Sequence, residues 1–233
     1  WEGKDWRSQS EAYLKETMEE YEQVEKMQQQ LVFLRFMFDV PEGRVIVDYQ
    51  KMLDLGCNGL IKIAREQMKR IGNLQNKEDF DSYNFYKGTI LALEGLIAFD
   101  NHYADEAARL AAQEKDEKRK AELLTIEKIC RKVPAEPADT FREAIQSFWF
   151  THLCIFIELN GRGMSPGRFD QYMYRPYLNE IQAGRITDEE VLEYLELLRI
   201  KCTELTRAHA TFTESYLGGS IYQNLTLGGV DRY

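Results

Sequence analysis

The sequence predicts a helix-rich α/β protein, and three observations lead to this prediction. Over most of the chain, apolar residues recur every three or four positions, which is the spacing of amphipathic helices. Residues 221–227 instead alternate in the manner of a strand, with a pair of glycines on either side. The 233 residues, 44% of them hydrophobic, are enough to bury a sizeable core.

Capping residues and helix breakers set the expected boundaries of each element. In chain order, the predicted helices run from Ser8 or Ser10 to Phe38, from Asp48 to Gly72, from Asp79 or Asp81 to about Ala112, over 116–132, from Asp139 or Thr140 to Leu159, over an aromatic stretch after Arg168, and over 191–206.

Two of these helices begin with a recognisable capping pattern. Asp139 or Thr140 with Glu143 forms a capping box, and the run Thr187-Asp-Glu-Glu has a similar capping spacing. The helix that begins at Thr140 continues into residues 148–159, which are so apolar that we expect them to be buried on every side.

Residues 160–168 form a glycine-rich loop directly after this apolar helix. Its three glycines permit positive φ and a close approach of the backbone to a ligand. Arg162 and Arg168 are suited to bidentate capture of a carboxylate, sulfonate or phosphate. The spacing is not that of a P-loop. The alternative is that Arg168 pairs with an acid such as Asp170 and the glycines only turn the chain.

Composition excludes several classes of protein. A formal charge of −9 argues against nucleic-acid binding, which needs clustered positive charge. No apolar run is long enough to cross a membrane, and no basic-then-apolar leader is visible. Four cysteines without paired spacing indicate free thiols in a reducing cytoplasm, and the three scattered histidines predict no metal site. His152 on its apolar face is interpreted as a core residue.

Several segments resemble the glycyl radical enzymes, the relatives of pyruvate formate-lyase. The longest, residues 158–174, reads Glu-Leu-Asn-Gly-Arg-Gly-Met-Ser-Pro-Gly-Arg-Phe-Asp-Gln-Tyr-Met-Tyr. Further matches follow the family order: Trp1-Glu-Gly-Lys, Gly43-Arg-Val-Ile-Val-Asp-Tyr49, Tyr103-Ala-Asp105, Ile129-Cys-Arg-Lys-Val-Pro134, Thr140-Phe-Arg-Glu-Ala-Ile-Gln146 and Tyr222-Gln-Asn-Leu-Thr-Leu-Gly-Gly-Val-Asp231. The resemblance covers essentially the whole chain.

The resemblance implies a fold and a chemistry that the chain carries only in part. It implies a partial ten-stranded α/β barrel of the pyruvate formate-lyase type, about half of the barrel domain, with residues 1–233 in one catalytic domain. The family's thiyl-cysteine loop and its C-terminal glycyl radical loop do not occur in this sequence. Both ends of the chain look cut, so we expect an N-terminal-to-middle segment that is inactive alone.

The resemblance also implies cofactors and partners of the whole enzyme. A glycyl radical in the missing C-terminal part is installed by an activating S-adenosylmethionine iron–sulfur enzyme. The full-length protein is expected to be a cytoplasmic homodimer that acts on a small molecule, with no nucleic acid or membrane as partner and no cofactor or metal bound by this segment.

The resemblance further implies which residues face the substrate: Arg44, Asp48, Arg162, Gly163 and Tyr222. Diol dehydratases of the family carry histidine at the positions of Arg44 and, in the second loop, Arg162. Arginine is a permanent cation, and a buried cation needs an anionic partner. An anionic substrate is therefore expected, and Gly163 enlarges the pocket. Each arginine has an alternative: Arg44 could pair with Asp48, and Arg162 with Glu158.

The expected function is that of a radical lyase or dehydratase that cleaves a C–O, C–S or C–C bond of a small anionic substrate. One alternative within the family is an arylacetate or indoleacetate decarboxylase. A second alternative, of another class, is a non-catalytic split or degenerate barrel module that docks a partner chain.

Overall fold

The computed structural model describes residues 45–159, 163–205 and 223–229, together with 15–16, 22–23, 26–27 and 30. Within these residues six helices form: α1 (Tyr49–Ile71), α2 (Lys77–Gln113), α3 (Glu117–Lys132), α4 (Phe141–Leu159), α5 (Phe169–Gln182) and α6 (Asp188–Glu204). The helix predicted before Phe38 lies outside the described residues apart from a few isolated positions.

The chain divides into two compact units. Unit 1 comprises Trp1–Ile46, Ile155–Gly167 and Ile200–Leu225, and unit 2 comprises Val47–Cys154, Arg168–Arg199 and Thr226–Tyr233. Unit 2 holds most of the helical residues, and in it α2 packs against both α1 and α3.

Helix α1 is broken at Gly56, where φ is 62° and ψ is 175°. The break frees backbone donors, and the segment between α3 and α4 supplies their acceptors: the N–H groups of Cys57 and Asn58 donate to the carbonyls of Pro134 and Ala135 at 2.8 and 2.9 Å. A Cβ at position 56 would lie 2.6 Å from the Ala135 carbonyl oxygen. Only glycine allows this crossing, because other residues strongly disfavour positive φ and would collide with the segment.

The core of unit 2 lies where α1, α2, α3 and α4 meet. Its buried residues are Met52, Cys57, Leu96, Ala104, Cys130 and Phe150. Asp100 on α2 is only 2% exposed, and neither carboxyl oxygen has a hydrogen-bond partner among the described residues. Burial raises the pKa of this carboxyl from 3.8 to about 8, because removal from water penalises the charged form. The Asp100 side chain is therefore neutral at pH 7.

The predicted helix starts are largely confirmed. Asp48 caps α1 by accepting the Lys51 N–H at 3.1 Å. Thr140 and Glu143 form the expected capping box, in which the Glu143 N–H donates to the Thr140 hydroxyl at 3.2 Å and the Thr140 N–H to the Glu143 carboxylate at 3.3 Å. The predicted start of α2 is wrong by a few residues: Asn76 is the cap, and it accepts the N–H of Asp79.

The second capping pattern is also confirmed, although its helix begins earlier than predicted. The Glu190 N–H donates to the Thr187 hydroxyl at 3.2 Å, and the Thr187 N–H donates back to the Glu190 carboxylate at 2.9 Å. Helix α6 therefore begins at Asp188, directly after its cap, rather than at residue 191. The prediction placed the first turn among apolar residues, whereas the three acidic residues after Thr187 form it, where they face the positive end of the helix dipole.

Two further expectations are corrected. Residues 148–159 are not buried all round, because Ile157 near the end of α4 is 60% exposed. The barrel strands are not seen in the described part of the chain, where β pairing is limited to the isolated parallel bridges Ile46↔Ser165 and Gly167↔Leu225. Helices dominate the described residues, and none of them is long and apolar enough to cross a membrane.

We predict that Gly56→Ala destabilises the protein by about 2–4 kcal/mol, because it combines positive-φ strain with a collision against backbone. Chemical denaturation measures the change. The control is Gly88→Ala on α2, where an added Cβ meets open space; there we expect a gain of up to ~1 kcal/mol. Equal effects of the two substitutions would contradict this account of the break.

Asp100 predicts a pH dependence of stability. Because its folded pKa lies above its unfolded value, its contribution is fully present below pH 4 and is lost as pH rises toward 8. We expect the free energy of unfolding of Asp100→Leu, minus that of the wild type, to grow by up to about 1.4 kcal/mol per pH unit across this window. Asp81→Asn, an exposed carboxyl on the same helix, serves as the control and should leave the pH profile unchanged.

Candidate functional site

In unit 1, three segments of the predicted pocket lie side by side. The Ser165 N–H donates to the Val45 carbonyl at 3.1 Å, next to the parallel bridge between Ile46 and Ser165. Gly167, two residues further on, forms the second parallel bridge with Leu225. The glycine-rich loop therefore pairs on one side with the segment after Arg44 and on the other with the segment after Tyr222.

A small apolar cluster supports this junction. Met164 is completely buried and packs with Phe156 of α4. The partly buried residues around them are Val45, Ile155, Leu159 and Leu205. Since Met164 lies between Gly163 and Ser165, its burial fixes the course of the backbone that forms the bridge.

The structure describes two of the five predicted site residues. Gly163 is buried with φ at 75°, and Gly167 also has positive φ, at 67°, as the loop sequence predicted. Asp48 in unit 2 is exposed at the start of α1, where it serves as the cap. Arg44, Arg162 and Tyr222 lie outside the described residues, so their orientation remains a prediction.

Arg168 and Asp170 hold the chain after the second bridge, in unit 2. Arg168 Nη2 donates to the Gly228 carbonyl at 2.9 Å, and Asp170 Oδ2 accepts the Gly228 N–H at 2.7 Å. This hydrogen bond from the Gly228 backbone, with a further contribution from nearby Arg168, lowers the pKa of the Asp170 carboxyl. Both side chains bind the backbone of Gly228, which gives each of them a structural role; the pairing of Arg168 with Asp170 stays a prediction.

A second polar contact in unit 2 was not predicted from the sequence. The Tyr49 hydroxyl lies 2.7 Å from His152 Nδ1, and both residues are buried. The interpretation of His152 as a core residue is confirmed. The available sequence signal was a buried histidine that needs a polar partner, but nothing local pointed to Tyr49.

Three of the four thiols are poor candidates for a reactive site. All four cysteines are free. Burial raises the pKa of Cys57 and of Cys154 to about 12 and that of Cys130 to about 11, and nearby Asp100 adds to each shift. Among the described residues, no group of three His, Cys, Asp or Glu side chains is arranged to hold a metal ion.

The family model described as pyruvate formate lyase-like matches residues 1–233. Isethionate sulfite-lyase of Oleidesulfovibrio alaskensis is 34% identical over 188 residues, which cover 78% of this chain and 22% of the relative. Indoleacetate decarboxylase of Tractidigestivibacter scatoligenes is 35% identical over 192 residues, which cover 82% of this chain and 21% of the relative. The glycerol-bound structure of the B12-independent glycerol dehydratase from Clostridium butyricum matches with a TM-score of 0.76 and 39% identity. The match covers 82% of this chain and 24% of the dehydratase chain.

These relatives are glycyl radical enzymes: lyases, decarboxylases and dehydratases. The present chain belongs to the pyruvate formate lyase-like family, as the resemblance of its motifs predicted. It spans between a fifth and a quarter of the length of the relatives it matches.

We predict that Asp170→Ala frees the segment around Gly228. Loss of a charge-assisted hydrogen bond should raise the exchange rate of the Gly228 amide about tenfold or more. Hydrogen exchange read by mass spectrometry over residues 226–229 measures this rate. Glu193→Ala, an exposed acid on α6, should leave the rate unchanged, and an unaltered rate in Asp170→Ala would show that the contact does not restrain the segment.

Proposed function

We propose that this chain forms one wall of the substrate pocket in a glycyl radical lyase or dehydratase that acts on a small anionic molecule. The observation that supports the proposal is the pair of parallel bridges, which join the three segments that the resemblance assigns to the pocket. In the whole enzyme, a radical glycine installed by a separate S-adenosylmethionine-dependent activase and a cysteine would carry the chemistry. Neither lies in these 233 residues, so this chain contributes binding and orientation.

Connectivity keeps the two proposed cations near this junction. Arg44 precedes Ile46 by two residues and Arg162 precedes Ser165 by three. Since consecutive Cα atoms are 3.8 Å apart, the Cα atoms of Arg44 and Arg162 lie within about 8 Å and 11 Å of the bridged residues. Tyr222 precedes Leu225 by three residues, so the same limit of about 11 Å applies to the distance between their Cα atoms. An arginine side chain is long enough for both guanidinium groups to serve one substrate from these positions, and this is what we propose.

Charge argues for the class of substrate. A guanidinium stays charged at every physiological pH, and burying it without an anion costs several kcal/mol. The family includes enzymes named for anions, isethionate and indoleacetate, as well as one whose structure holds neutral glycerol. Two arginines at pocket positions favour a carboxylate or sulfonate over a neutral diol. Gly163 leaves room beside them because it has no side chain.

The remaining features of the whole protein follow from the same proposal. The full-length chain is a cytoplasmic homodimer, and its activase is a required protein partner. Its three candidate reactions are cleavage of a C–S bond in a hydroxysulfonate, decarboxylation of an aryl or indolyl acetate, and dehydration of a hydroxy acid. A panel of isethionate, indoleacetate and a small hydroxy acid separates them, because the first releases sulfite, the second releases carbon dioxide and the third loses water. Glycerol is the neutral comparison.

We predict that Arg44→His in the full-length enzyme, studied before activation so that the ligand is not consumed, weakens binding of the preferred panel acid by roughly 30- to several-thousand-fold. Truncating one partner of a buried charge pair typically costs ~2–5 kcal/mol. Binding of the corresponding neutral amide or alcohol should change far less. Isothermal titration calorimetry with the acid and its neutral analogue measures both affinities.

The control for this experiment is Arg65→His, which removes an exposed arginine paired with Glu94 on the helical surface. It should leave both affinities unchanged. If Arg44→His lowers the affinity for the acid and for the neutral analogue equally, Arg44 does not recognise the charge of the substrate. The proposed substrate class would then be wrong.

A further inference from the structure

Tyr49 occupies the first position of α1 and directly follows Asp48. The residue is only 1% exposed. The hydroxyl lies 2.7 Å from Nδ1 of His152, a residue of α4 that is 0% exposed. This distance is that of a hydrogen bond, so the start of α1 is tied to the middle of α4.

Aromatic packing fixes the direction of the Tyr49 ring. Its centroid lies 4.6 Å from that of Phe148 on α4 and 5.4 Å from that of Tyr172 on α5. The His152 ring stacks on Phe148 at 5.4 Å with an interplanar angle of 17°. Because the ring is held on two helices and the hydroxyl by a third contact, Tyr49 has little freedom to rotate.

The immobile Tyr49 constrains the turn that precedes it. The Tyr49 N–H donates to the Val47 carbonyl at 2.9 Å, and the Asp48 carboxylate accepts the Lys51 N–H at 3.1 Å. These two hydrogen bonds join residues 47 and 48, which precede α1, to the first turn of the helix. A displacement of Tyr49 therefore moves the Asp48 carboxylate with it.

We propose that His152 is a positioning residue, which acts through Tyr49 to hold Asp48 in place for the substrate. This inference rests on the proposed function and on the family resemblance, which implies that Asp48 faces the substrate. His152 itself touches neither the substrate nor the reacting atoms. Its task is to give the Tyr49 hydroxyl one fixed partner inside an aromatic cluster.

Two substitutions at position 152 separate the hydrogen bond from the packing. Asparagine places a polar atom where Nδ1 of histidine stands, so His152→Asn keeps a partner for the hydroxyl but loses the ring. Phenylalanine keeps a ring that stacks on Phe148 but has no polar atom, so His152→Phe keeps packing and loses the bond. Tyr49→Phe removes the same bond from the other side.

The test uses the full-length, activated enzyme and the panel acid that it turns over with the lowest KM. We expect Tyr49→Phe and His152→Phe to raise KM about 5- to 50-fold while kcat changes less than about threefold, because misplacing a binding group weakens binding. His152→Asn should restore KM to within about threefold of the wild type. The glycyl radical signal in electron paramagnetic resonance should be equal in all variants.

The matched control is Tyr177→Phe on α5. Its hydroxyl also has a side-chain partner, Asp188 at 2.9 Å, but it lies away from the turn that carries Asp48. Its KM should equal that of the wild type. If Tyr49→Phe lowers the melting temperature without raising KM, or if His152→Asn behaves like His152→Phe, the positioning role is overturned.

A second readout does not depend on any substrate. Hydrogen exchange over residues 45–52 reports the Lys51 amide that Asp48 caps. It should accelerate in His152→Phe and stay at the wild-type rate in His152→Asn. If Asp48→Asn leaves KM unchanged while these exchange rates behave as expected, the substrate role of Asp48 is wrong although the restraint on the turn is real. If the exchange rates do not differ, the positioning proposal itself is wrong.

Discussion

The crossing of residues 134–138 over the break in α1 is the constraint on which the helical unit depends. At Gly56 the helix gives up its own hydrogen bonds, and the carbonyls of Pro134 and Ala135 replace them. The Asn58 side chain adds a bond to Glu136 at 2.7 Å, and the Ala138 N–H returns to the Leu53 carbonyl at 3.1 Å. The crossing segment also connects α3 to α4, so one set of backbone contacts fixes three helices. The core that encloses Asp100 forms around them.

Local chemistry explains which parts of the fold could be predicted. Asp48, Thr140 and Thr187 each bond a backbone N–H three residues later, so all the information lies within one helical turn. The break at Gly56 depends on a segment nearly eighty residues further along the chain. The amphipathic pattern of α1 continues through Gly56, so the sequence gives no local indication of the break. The exposure of Ile157 was missed for a related reason, because an apolar pattern does not reveal what covers each face.

The candidate site divides in the same way. The sequence predicts the glycine-rich loop and permits positive φ at its glycines, and Gly163 and Gly167 both have positive φ. The pairing of this loop with the segments at Ile46 and Leu225 is a non-local fact that only the family resemblance could suggest. The contact between Tyr49 and His152 was not foreseen, since two residues a hundred positions apart carry no shared pattern. Arg44, Arg162 and Tyr222 remain predictions.

The buried thiols have a practical consequence for work on the whole enzyme. Thiol-directed reagents react with thiolates, and burial keeps Cys57, Cys130 and Cys154 in the protonated form well above neutral pH. We therefore expect these three thiols to react slowly with maleimides and iodoacetamide while the protein stays folded. Of the four cysteines of this region, Cys202 is then the one to replace before cysteines elsewhere in the polypeptide are labelled selectively.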